Sequence, residues 1–524
     1  MDKPLRYPID IRSFPTIREE GYVYVDKTGY VYQLAKNGAT YNFLSRPRRF
    51  GKSMLVSTLQ AYFEGKKELF TGLAIDGLEK EWKVYPVVSL SLASFKGDRI
   101  PLLQEYLELQ LEKVEERYSL STTKKELGAR FSQIVGLLHK KYSQKVVVLI
   151  DEYDTPILNV LHDKPKKKEI LAFMQSVYVP LKDLEEQLRF VLITGITKFS
   201  QVSIFSTLNN ISNISMRSEY AAVCGITLEE IRRELKASVE ALAAEYGCDE
   251  ETTLQELRSY YDGYKFRWPS PDIFNSYSLI NCFDWKEIKP FWFQTGTPTF
   301  VVETLKKSKV LPSQLERMEA TEQDFDAPIE NVVKLVPLLY QSGYLTIKGY
   351  NKVTHRYTLE IPNKEVHLGL MNSLVPNYIK EPMMARNIVA DMIQCIVDGD
   401  VNAALEKMKV FFKTVPYCRG TKTEGHWQQM LYVIFSLFLA YADVEVHTNN
   451  GRVDMAMIYD GKLYLWEVKL DGSAKKAIDQ IELKEYTDRF SLCQLPIIKI
   501  GISFSTNTHT INDWIINANS KLRK

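Results

Sequence analysis

Two β-like runs near the C-terminus, RVDMAMIY and KLYLWEVK, are separated only by an Asp-Gly pair. Asp-Gly between two such runs is a strong signal for a two-residue hairpin turn, usually of type I′. A two-residue turn fixes the register, so residues equidistant from the turn face each other. Asp454 is therefore predicted to face Glu467, and Arg452 to face Lys469, all on one side of the hairpin.

The other positions of this hairpin are apolar on both faces, which predicts a sheet covered on both sides with one polar cluster at its end. The face shared with the acidic pair carries Ala456, Ile458, Leu463 and Leu465, and the opposite face carries Val453, Met455, Met457, Tyr464, Trp466 and Val468.

Directly opposed carboxylates have Cβ atoms about 5 Å apart and repel each other unless a positive group lies between them. A hard divalent cation, Mg²⁺ or Mn²⁺, would be bound by Asp454 and Glu467, with the carbonyl of Val468 as a further ligand. Lys469 would orient or activate a water and offset charge on a phosphate. The alternative is a surface ion-pair quartet of these carboxylates with Lys469 and Arg452, without metal.

The segments around this hairpin extend the prediction. Residues 420–524 have the pattern helix, three strands, helix, strand, helix. Glu424 and His426 open the first of these helices and are candidates for an added ligand or a supporting contact. Residues 474–486 follow the second acidic strand as a helix.

The N-terminal part has a different pattern. Residues 1–215 alternate short apolar runs with helical stretches, which predicts an α/β fold with a doubly wound parallel sheet covered on both faces. The predicted strands are Tyr41–Leu44, Val87–Leu92, Val146–Ile150 and Phe190–Thr194, and the predicted helices are Ser53–Phe63, Ile100–Arg117 and Lys167–Glu186.

The segment RPRRFGKS lies between the first predicted strand and helix, the context of a P-loop that binds phosphates through backbone N–H groups. Lys52 would reach the β- and γ-phosphates of ATP, and Ser53 would bind Mg²⁺. Arg46 stands where the standard pattern begins with glycine, so the first turn must be built differently. The predicted nucleotide-binding residues of this segment are Arg46, Arg48, Arg49, Gly51, Lys52 and Ser53.

Two later strands end in polar residues, and ligands of doubly wound sheets bind at the carboxyl ends of strands. Asp151 would hold the Mg²⁺ shell, and Glu152 would polarise the attacking water. The next strand ends at Thr194, and Thr197 and Lys198 follow as candidates for sensing the γ-phosphate. The alternative is that the two acidic residues are ordinary loop carboxylates.

Residues 216–415 show apolar residues at helical spacing. A helix-like run, VVKLVPLLYQSGYL, meets a turn and then two β-like stretches, YLTIKG and HRYTLEIPN. This order predicts a winged-helix-like module, with an α-helical linker domain as the alternative. The sequence thus predicts three parts, residues 1–215, 216–415 and 416–524.

The formal net charge of +2 gives no whole-chain basic field, so DNA or RNA binding would need local patches. No two of the six cysteines have CxxC spacing, which argues against a structural zinc site and fits a reducing compartment. The N-terminus has no apolar signal region, and the longest apolar stretch is too short to span a bilayer. We therefore expect a cytoplasmic protein without a membrane partner, with a homo-oligomer left open.

Five segments together resemble the AAA-ATPase-like family: YVDKT, RPRRFGKS, LIDEYDTPI, TGITKFS and STLNNIS. SYYDGYKF (Ser259–Phe266) resembles the downstream helical part of that family. A PD-(D/E)XK nuclease domain often follows there, and Asp454, Glu467 and Lys469 resemble its motif. The resemblance implies ATP as ligand, a C-terminal restriction-endonuclease-like α/β fold, and Gln480 and Tyr486 lining the nuclease site. It also implies that the arginine-for-glycine change in the P-loop is inherited.

Two functions remain open from the sequence. The first is an ATP-binding protein whose nucleotide state gates metal-dependent phosphodiester cleavage of DNA or RNA. The second is an ATP-switch interaction or signalling protein whose nuclease fold is inactive and serves as a binding platform.

Overall fold

The computed structural model describes twelve stretches of the chain: residues 5–197, 211–295, 301, 303–305, 308, 310–325, 335–379, 381–414, 424–440, 442–449, 452–483 and 495–518. The chain divides into two compact units. Unit 1 comprises Met1–Thr304 and Arg317–Asn363, and unit 2 comprises Leu305–Glu316 and Lys364–Lys524. The division into three parts that the sequence suggests remains a prediction.

Unit 1 contains a five-stranded parallel sheet in the order β2-β3-β4-β1-β5. The strands are β1 (Tyr41–Ser45), β2 (Val87–Ser91), β3 (Val146–Asp151), β4 (Leu188–Gly195) and β5 (Ser212–Asn213). Every residue of β3 is buried, because helices cover both faces of the sheet. The predicted α/β fold and its four strands are confirmed.

The helices of unit 1 connect these strands and form the region after them. They are α1 (Phe14–Glu20), α2 (Thr28–Asn37), α3 (Lys52–Phe63), α4 (Ala74–Leu78), α5 (Ile100–Tyr118), α6 (Leu127–Tyr142), α7 (Thr155–Leu158), α8 (Lys164–Tyr178), α9 (Leu228–Glu234), α10 (Lys236–Tyr246), α11 (Glu250–Tyr261), α12 (Ser276–Trp285), α13 (Glu322–Phe325) and α14 (Leu335–Gln341). Short 3₁₀ turns lie at Lys67–Phe70, Val179–Lys182, Glu185–Gln187, Ser218–Tyr220 and Trp292–Thr295.

The predicted helix Lys167–Glu186 is wrong at both ends. It begins three residues earlier, where Asp163 caps it by accepting a hydrogen bond from the amide of Lys166, and it ends at Tyr178. The chain then tightens into the 3₁₀ turn Val179–Lys182, because Pro180 has no N–H to donate to the next helical hydrogen bond.

The winged-helix-like part of unit 1 has the predicted order of helix, tight turn and hairpin. After α14, Gly343 takes a left-handed φ of 86°, and the chain enters β7 (Thr346–Asn351) and β8 (Arg356–Glu360). A third strand, β6 (Met318–Ala320), pairs with β8. Most residues of α14 are buried, and Tyr340 and Gln341 donate hydrogen bonds to the carbonyls of Phe266 and Phe325 within unit 1.

Unit 2 contains a five-stranded mixed sheet in the order β13-β12-β11-β10-β9. Its strands are β9 (Asp443–Asn449), β10 (Arg452–Tyr459), β11 (Lys462–Leu470), β12 (Ile497–Ser505) and β13 (Thr510–Ala518). Its helices are α15 (Lys364–Leu374), α16 (Pro382–Val397), α17 (Val401–Thr414), α18 (Glu424–Ser436) and α19 (Ala474–Leu483), with 3₁₀ turns at Pro312–Glu316, Val375–Asn377 and Leu437–Ala440.

The last element of unit 2 corrects the predicted pattern. Thr510–Ala518 forms a strand antiparallel to β12, not the expected terminal helix. Its sequence, TINDWIINA, is rich in the β-branched and aromatic residues that suit a strand.

Both faces of the β10–β11 hairpin are covered, as predicted. Leu463 and Leu465 pack with Ile478 and Ile481 of α19 on one face. On the other face, the ring of Trp466 lies 6.2 Å from that of Phe435 in α18. Within the part of the chain that the structure describes, no helix combines the length and apolar character needed to cross a bilayer.

Candidate nucleotide site and candidate metal site

The loop between β1 and α3 makes its turns without a glycine at position 46. Arg49 has φ 69° and Gly51 has φ 91°, both in the left-handed region, and α3 begins directly afterwards. The amides at the start of α3 therefore lie at the end of a strand, as a phosphate-binding loop requires.

Arg46 has a structural position in this loop. Its guanidinium is fully buried and donates hydrogen bonds to the carbonyls of Ser215 (2.8 Å) and Tyr220 (3.0 Å). It also lies over the ring of Phe266, 4.3 Å from the centroid. Arg46 was predicted to bind nucleotide. Its side chain is instead directed into the protein, where it donates its hydrogen bonds to backbone carbonyls.

Phe50 anchors the same loop from the other side. Its ring is buried and makes edge contacts with Tyr264 (4.8 Å) and Phe266 (5.4 Å), both in the segment Ser259–Phe266. The Phe50 carbonyl accepts a hydrogen bond from the amide of Gly225 at 2.8 Å. The helical part downstream of the sheet thus fixes the loop.

Lys52 folds back on its own loop. Its Nζ donates to the carbonyls of Arg46 (2.9 Å) and Pro47 (3.0 Å), and the residue is almost fully buried. The ammonium group is held over the loop, where a phosphate oxygen would be an alternative acceptor.

Ser53, Asp151 and Thr194 meet at the carboxyl edge of the sheet. The two oxygens of Asp151 accept hydrogen bonds from Ser53 Oγ and from Thr194 Oγ1, each at 2.6 Å. Because β4 lies between β1 and β3, Thr194 at its end closes the gap between the other two residues. Such a set of oxygens suits a hard divalent cation.

Glu152 follows with a left-handed φ of 52°. Backbone strain of this kind in a non-glycine residue concentrates at functional sites. Its Oε2 accepts a long hydrogen bond of 3.5 Å from the Thr155 hydroxyl, and it lines the cavity described below.

Thr197 serves the fold of this edge. Asp154 Oδ2 accepts hydrogen bonds from the Thr197 hydroxyl and amide, each at 2.7 Å. Both residues are fully buried, and burial raises the pKa of Asp154. Thr197 was a candidate γ-phosphate sensor, but its hydroxyl is used internally. Lys198, the other candidate, lies outside the described residues.

A cavity of about 460 Å³, here called the nucleotide cavity, opens over this loop. This volume is in the range of small-molecule sites. It is lined by Arg48, Arg49, Gly51, Lys52, Ser53 and Glu152, together with Pro8–Arg12, Lys27, Val223–Ile226 and Tyr277.

The sequence reasoning missed the N-terminal and helical walls of this cavity. Arg49 donates to Asp10 at 2.5 Å and lies over the ring of Tyr277, 4.3 Å from the centroid. Both partners lie far from Arg49 in the sequence, Asp10 before it and Tyr277 long after it, so no local signal reveals them. Lys27 in the YVDKT segment contacts Glu230 at 2.7 Å and the carbonyl of Ala222 at 2.8 Å.

The hairpin register in unit 2 is confirmed residue by residue: Asp454 pairs with Glu467, and Arg452 with Lys469. Glu467 is fully buried and Asp454 is 6% exposed. The surface position that the ion-pair alternative expects for the carboxylates is therefore wrong, whereas its ion pair between Lys469 and Glu467 is present. Lys469 Nζ lies 3.0 Å from Glu467 Oε1, and it also donates to Gln480 Oε1 of α19.

A small cavity of about 10 Å³ lies against these carboxylates. That is close to the room that a single water needs. Its lining includes Asp454, Glu467, His447 and Glu445. The residues present therefore fit one compact, positively charged occupant. Among the described residues, no three His, Cys, Asp or Glu side chains form a ready metal-binding group.

Gly501 determines how closely α19 approaches this site. Gly501 pairs with Glu467 across β12 and β11. A Cβ at this position would lie 2.7 Å from the carbonyl oxygen of Ala474 and from Ile478 Cγ1. Only glycine allows α19 to lie so close to the sheet, and this brings Gln480 within reach of Lys469.

His447 is a site residue that the sequence reasoning missed. It faces Asp454 on the other side of β10, and β9 and β10 are joined by Asn-Gly at positions 450 and 451. Asn-Gly is as strong a hairpin signal as Asp-Gly, so the same register argument would have found His447. A contact with Glu316, and after it the charges of Glu445 and Asp454, raise the pKa of His447 against the effect of burial.

Several predicted residues stay predictions. Glu424 and His426 lie at the start of α18, but their side chains are outside the described residues, as is Tyr486. The side chain of Arg452 is also outside them. Val468 is a central position of the sheet, paired with both neighbouring strands, and its carbonyl remains a predicted ligand.

Comparison with known proteins gives three matches. Residues 8–205 match a family model described as "Predicted AAA-ATPase". Residues 422–514 match the PD-(D/E)XK nuclease superfamily. Over 98% of both chains, the sequence is 33% identical to a protein from Azotobacter chroococcum named "Uncharacterized protein in vnfD 5'region".

Proposed function

Because this chain belongs to the family of predicted AAA-ATPases with a C-terminal PD-(D/E)XK nuclease superfamily domain, we propose that it is an ATP-regulated, metal-dependent nuclease. ATP binds in the nucleotide cavity, and a nucleic acid is cut at the carboxylate pair of unit 2. The nucleotide state controls the cutting.

The contacts of Asp151 support the nucleotide part. Its hydrogen bonds to Ser53 and Thr194 bring three predicted ligands to one point beside Lys52. Lys52 exchanges the carbonyls of its loop for phosphate oxygens, and Arg48 and Arg49 add positive charge at the cavity wall. Glu152 is positioned at the same wall to orient a water for hydrolysis.

The pairing of Asp454 with Glu467 beside Lys469 is the observation that carries the nuclease part. The two carboxylates would hold a divalent cation, Mg²⁺ or Mn²⁺, with the carbonyl of Val468. Such a cation would supply Lewis-acid activation of a water and charge neutralisation at the phosphate. Lys469 orients the water and stabilises negative charge on the phosphate, and Gln480 holds the ammonium group in place.

The packing of the nucleotide loop supports control by nucleotide. Gly343, in the turn of the winged-helix-like part, lies so close to the loop that a Cβ would be 2.8 Å from Pro47 Cβ. Phe50 packs on Tyr264 and Phe266 in the helical part. A movement of the loop on binding phosphates therefore displaces packed groups in both parts of unit 1.

A cleavage assay tests the proposal. Wild type, Lys52→Ala and Glu467→Gln are incubated with single-stranded and double-stranded DNA and RNA, with Mg²⁺ or Mn²⁺, with and without ATP. We expect metal-dependent cleavage by wild type, no cleavage by Glu467→Gln, and a response to ATP that is absent in Lys52→Ala.

Two results contradict the proposal. Cleavage that survives Glu467→Gln removes the site assignment. Nucleotide-dependent assembly without cleavage of any substrate favours an ATP-switch protein whose nuclease fold is a binding platform.

A further inference from the structure

Unit 1 contains a second large cavity, of about 560 Å³, which we call the acidic cavity. It lies between α2, the start of α9 and the end of α11. Five carboxylates and two guanidinium groups line it: Asp26, Glu229, Glu230, Asp262 and Asp272, with Arg233 and Arg258.

The amides that could attract an anion to this cavity are already used. Asp26 accepts a hydrogen bond from the amide of Thr28 at the start of α2 (2.8 Å) and from that of Ala74 at the start of α4 (2.6 Å). Glu230 accepts one from the amide of Thr227 at the start of α9 (2.8 Å). The positive ends of these three helices are thus capped by the protein's own carboxylates.

Asp262 is the observation that points to a ligand. Its side chain is 5% exposed, and Oδ1 has no hydrogen-bond partner among the described residues. Arg258 Nε lies 3.6 Å from the other oxygen, beyond hydrogen-bond distance. Burial raises the pKa of Asp262 to about 6, although the Gly263 amide lowers it. A buried carboxylate oxygen without a hydrogen-bond donor destabilises the fold. A ligand that donates a hydrogen bond to Asp262 Oδ1 would remove this cost.

The positive groups near the cavity do not supply that donor. Arg233 makes two hydrogen bonds to Glu234, at 2.6 and 3.0 Å, and Lys265 pairs with Asp272 at 2.5 Å. Even with Lys27 paired to Glu230 and Lys265 paired to Asp272, the five carboxylates of the lining outnumber the four positive groups beside them.

The spacing of the acidic groups favours an organic cation over a metal ion. In the described parts of the chain, no three such side chains converge to form a metal-binding group. The carboxylates are instead spread along the cavity, and Tyr30 adds an aromatic ring to its wall. Amino or guanidino groups on a carbon chain match separated carboxylates, and an aromatic face attracts them as well.

We propose that the acidic cavity binds a small organic cation with amino or guanidino groups, and that Asp262 is its central acceptor. The cation donates a hydrogen bond to Asp262 Oδ1, and its other end lies towards Glu229 and the rim at Asp272.

Titration calorimetry on the full-length protein tests this site, at constant ionic strength. The probes are spermidine for an amine, argininamide for a guanidinium, and MgCl₂ for an inorganic cation. We expect saturable binding of spermidine or argininamide, and the tighter of the two identifies the head group. Binding should weaken at least ten-fold in Asp262→Asn and stay unchanged in Glu251→Gln, which removes an exposed carboxylate of α11, the helix that Asp262 follows.

Asp272→Asn provides a second variant at the cavity rim and should weaken binding several-fold, even if Asp262→Asn fails to fold. Three results overturn the proposal. One is no saturable binding of either organic probe. Another is binding that both variants leave unchanged. The third is binding of Mg²⁺ as tight as that of the organic probes with the same dependence on Asp262.

The acidic cavity adjoins the nucleotide cavity through one ion pair. Lys27 lines the nucleotide cavity, Glu230 lines the acidic cavity, and their charged atoms are 2.7 Å apart. A cation beside Glu230 competes with Lys27 for it. This consequence rests on the proposed ATP binding: spermidine should change ATP affinity at least three-fold in wild type but not in Asp262→Asn. Equal ATP affinities with and without spermidine would rule out the coupling between the two cavities. The direct titration of spermidine tests the acidic cavity independently, because it contains no nucleotide.

Discussion

The nucleotide cavity and the carboxylate pair are assembled in opposite ways. The cavity takes its walls from segments spread between Pro8 and Asn281, and its lysine is bonded to the carbonyls of its own loop. The carboxylate pair takes its residues from one hairpin, from the strand β9 before it and from the helix after it, within about thirty-five positions. The first site depends on the packing of the whole of unit 1, and the second on one turn and one close helix.

This difference determines where each site is vulnerable. In the carboxylate site, a change at a ligand should remove chemistry and leave the fold intact, because the strands hold their register without it. In the nucleotide site, binding residues and structural residues alternate along one loop, so neighbouring substitutions should have different kinds of effect.

The largest effect is expected from Asp454→Asn. Loss of one of two carboxylates removes several kcal/mol of charge stabilisation, so cleavage should fall roughly 10³-fold with an unchanged melting temperature. The control is Asp479→Asn, which removes an exposed carboxylate of α19. If both variants cut like wild type, Asp454 is not required for cleavage and the assignment of the carboxylate site is wrong.

The second effect separates structure from binding in the nucleotide loop. Arg46→Met leaves the buried carbonyls of Ser215 and Tyr220 without their donor, which should cost about 3 kcal/mol of unfolding free energy in urea titrations. Arg48→Met, at the cavity wall, should instead weaken ATP binding with little loss of stability. Equal stability of the two variants would show that structural and binding residues do not alternate along this loop.

Lys52→Ala should weaken ATP binding about 100-fold, because charge-assisted hydrogen bonds to phosphate are lost. Binding of a fluorescent ATP analogue measures this. Lys66→Ala serves as the matched control, since its side chain is exposed and lies away from the cavity. An unchanged affinity in Lys52→Ala would break the assignment of the cavity.

Gly501→Ala tests the close helix of the carboxylate site. The added methyl must push α19 away from β12, so Gln480 should lose Lys469 and cleavage should fall about 10-fold, with a stability loss of roughly 1–3 kcal/mol. Gly349→Ala is the control, because a Cβ there meets only ordinary contacts at 3.6 Å. Full activity in Gly501→Ala would mean that cleavage does not require the close approach of α19 to β12.

The smallest effect is expected from Asp262→Asn. The pKa of this carboxyl rises from 3.8 to about 6 on folding, so its ionisation opposes folding above pH 6 and has no effect below about pH 4. The rise corresponds to at most about 3 kcal/mol. Because the new amide is itself buried and polar, we expect a net gain of about 1 kcal/mol at pH 8 and none at pH 4. A loss of stability at pH 8 in urea titrations would contradict this.

Features that are set by residues close together in the sequence could be predicted. The pairing of Asp454 with Glu467 follows from an Asp-Gly turn a few residues away, and it was confirmed at every position. The strands of the parallel sheet were found because buried strands are continuously apolar. His447 was within reach of the same reasoning through the Asn-Gly pair.

Other features depend on partners far away in the sequence. The burial of Arg46 depends on carbonyls about 170 positions later. The end of α8 was missed because the helical pattern of the sequence runs past Tyr178, whereas Pro180 cannot donate the next helical hydrogen bond. The strand Thr510–Ala518 was wrongly predicted as a helix, although its β-branched and aromatic residues already suit its pairing with β12.

The two units alternate along the chain, so a fragment cut out of the gene cannot follow their boundary with one cut. Unit 2 includes Leu305–Glu316, in which Glu316 accepts a hydrogen bond from Tyr432 and the Ser313 amide donates to Gln429. A fragment that starts at Lys364 lacks these supports for α18, and one that starts earlier carries part of unit 1. No single cut therefore excises unit 2 with these contacts intact.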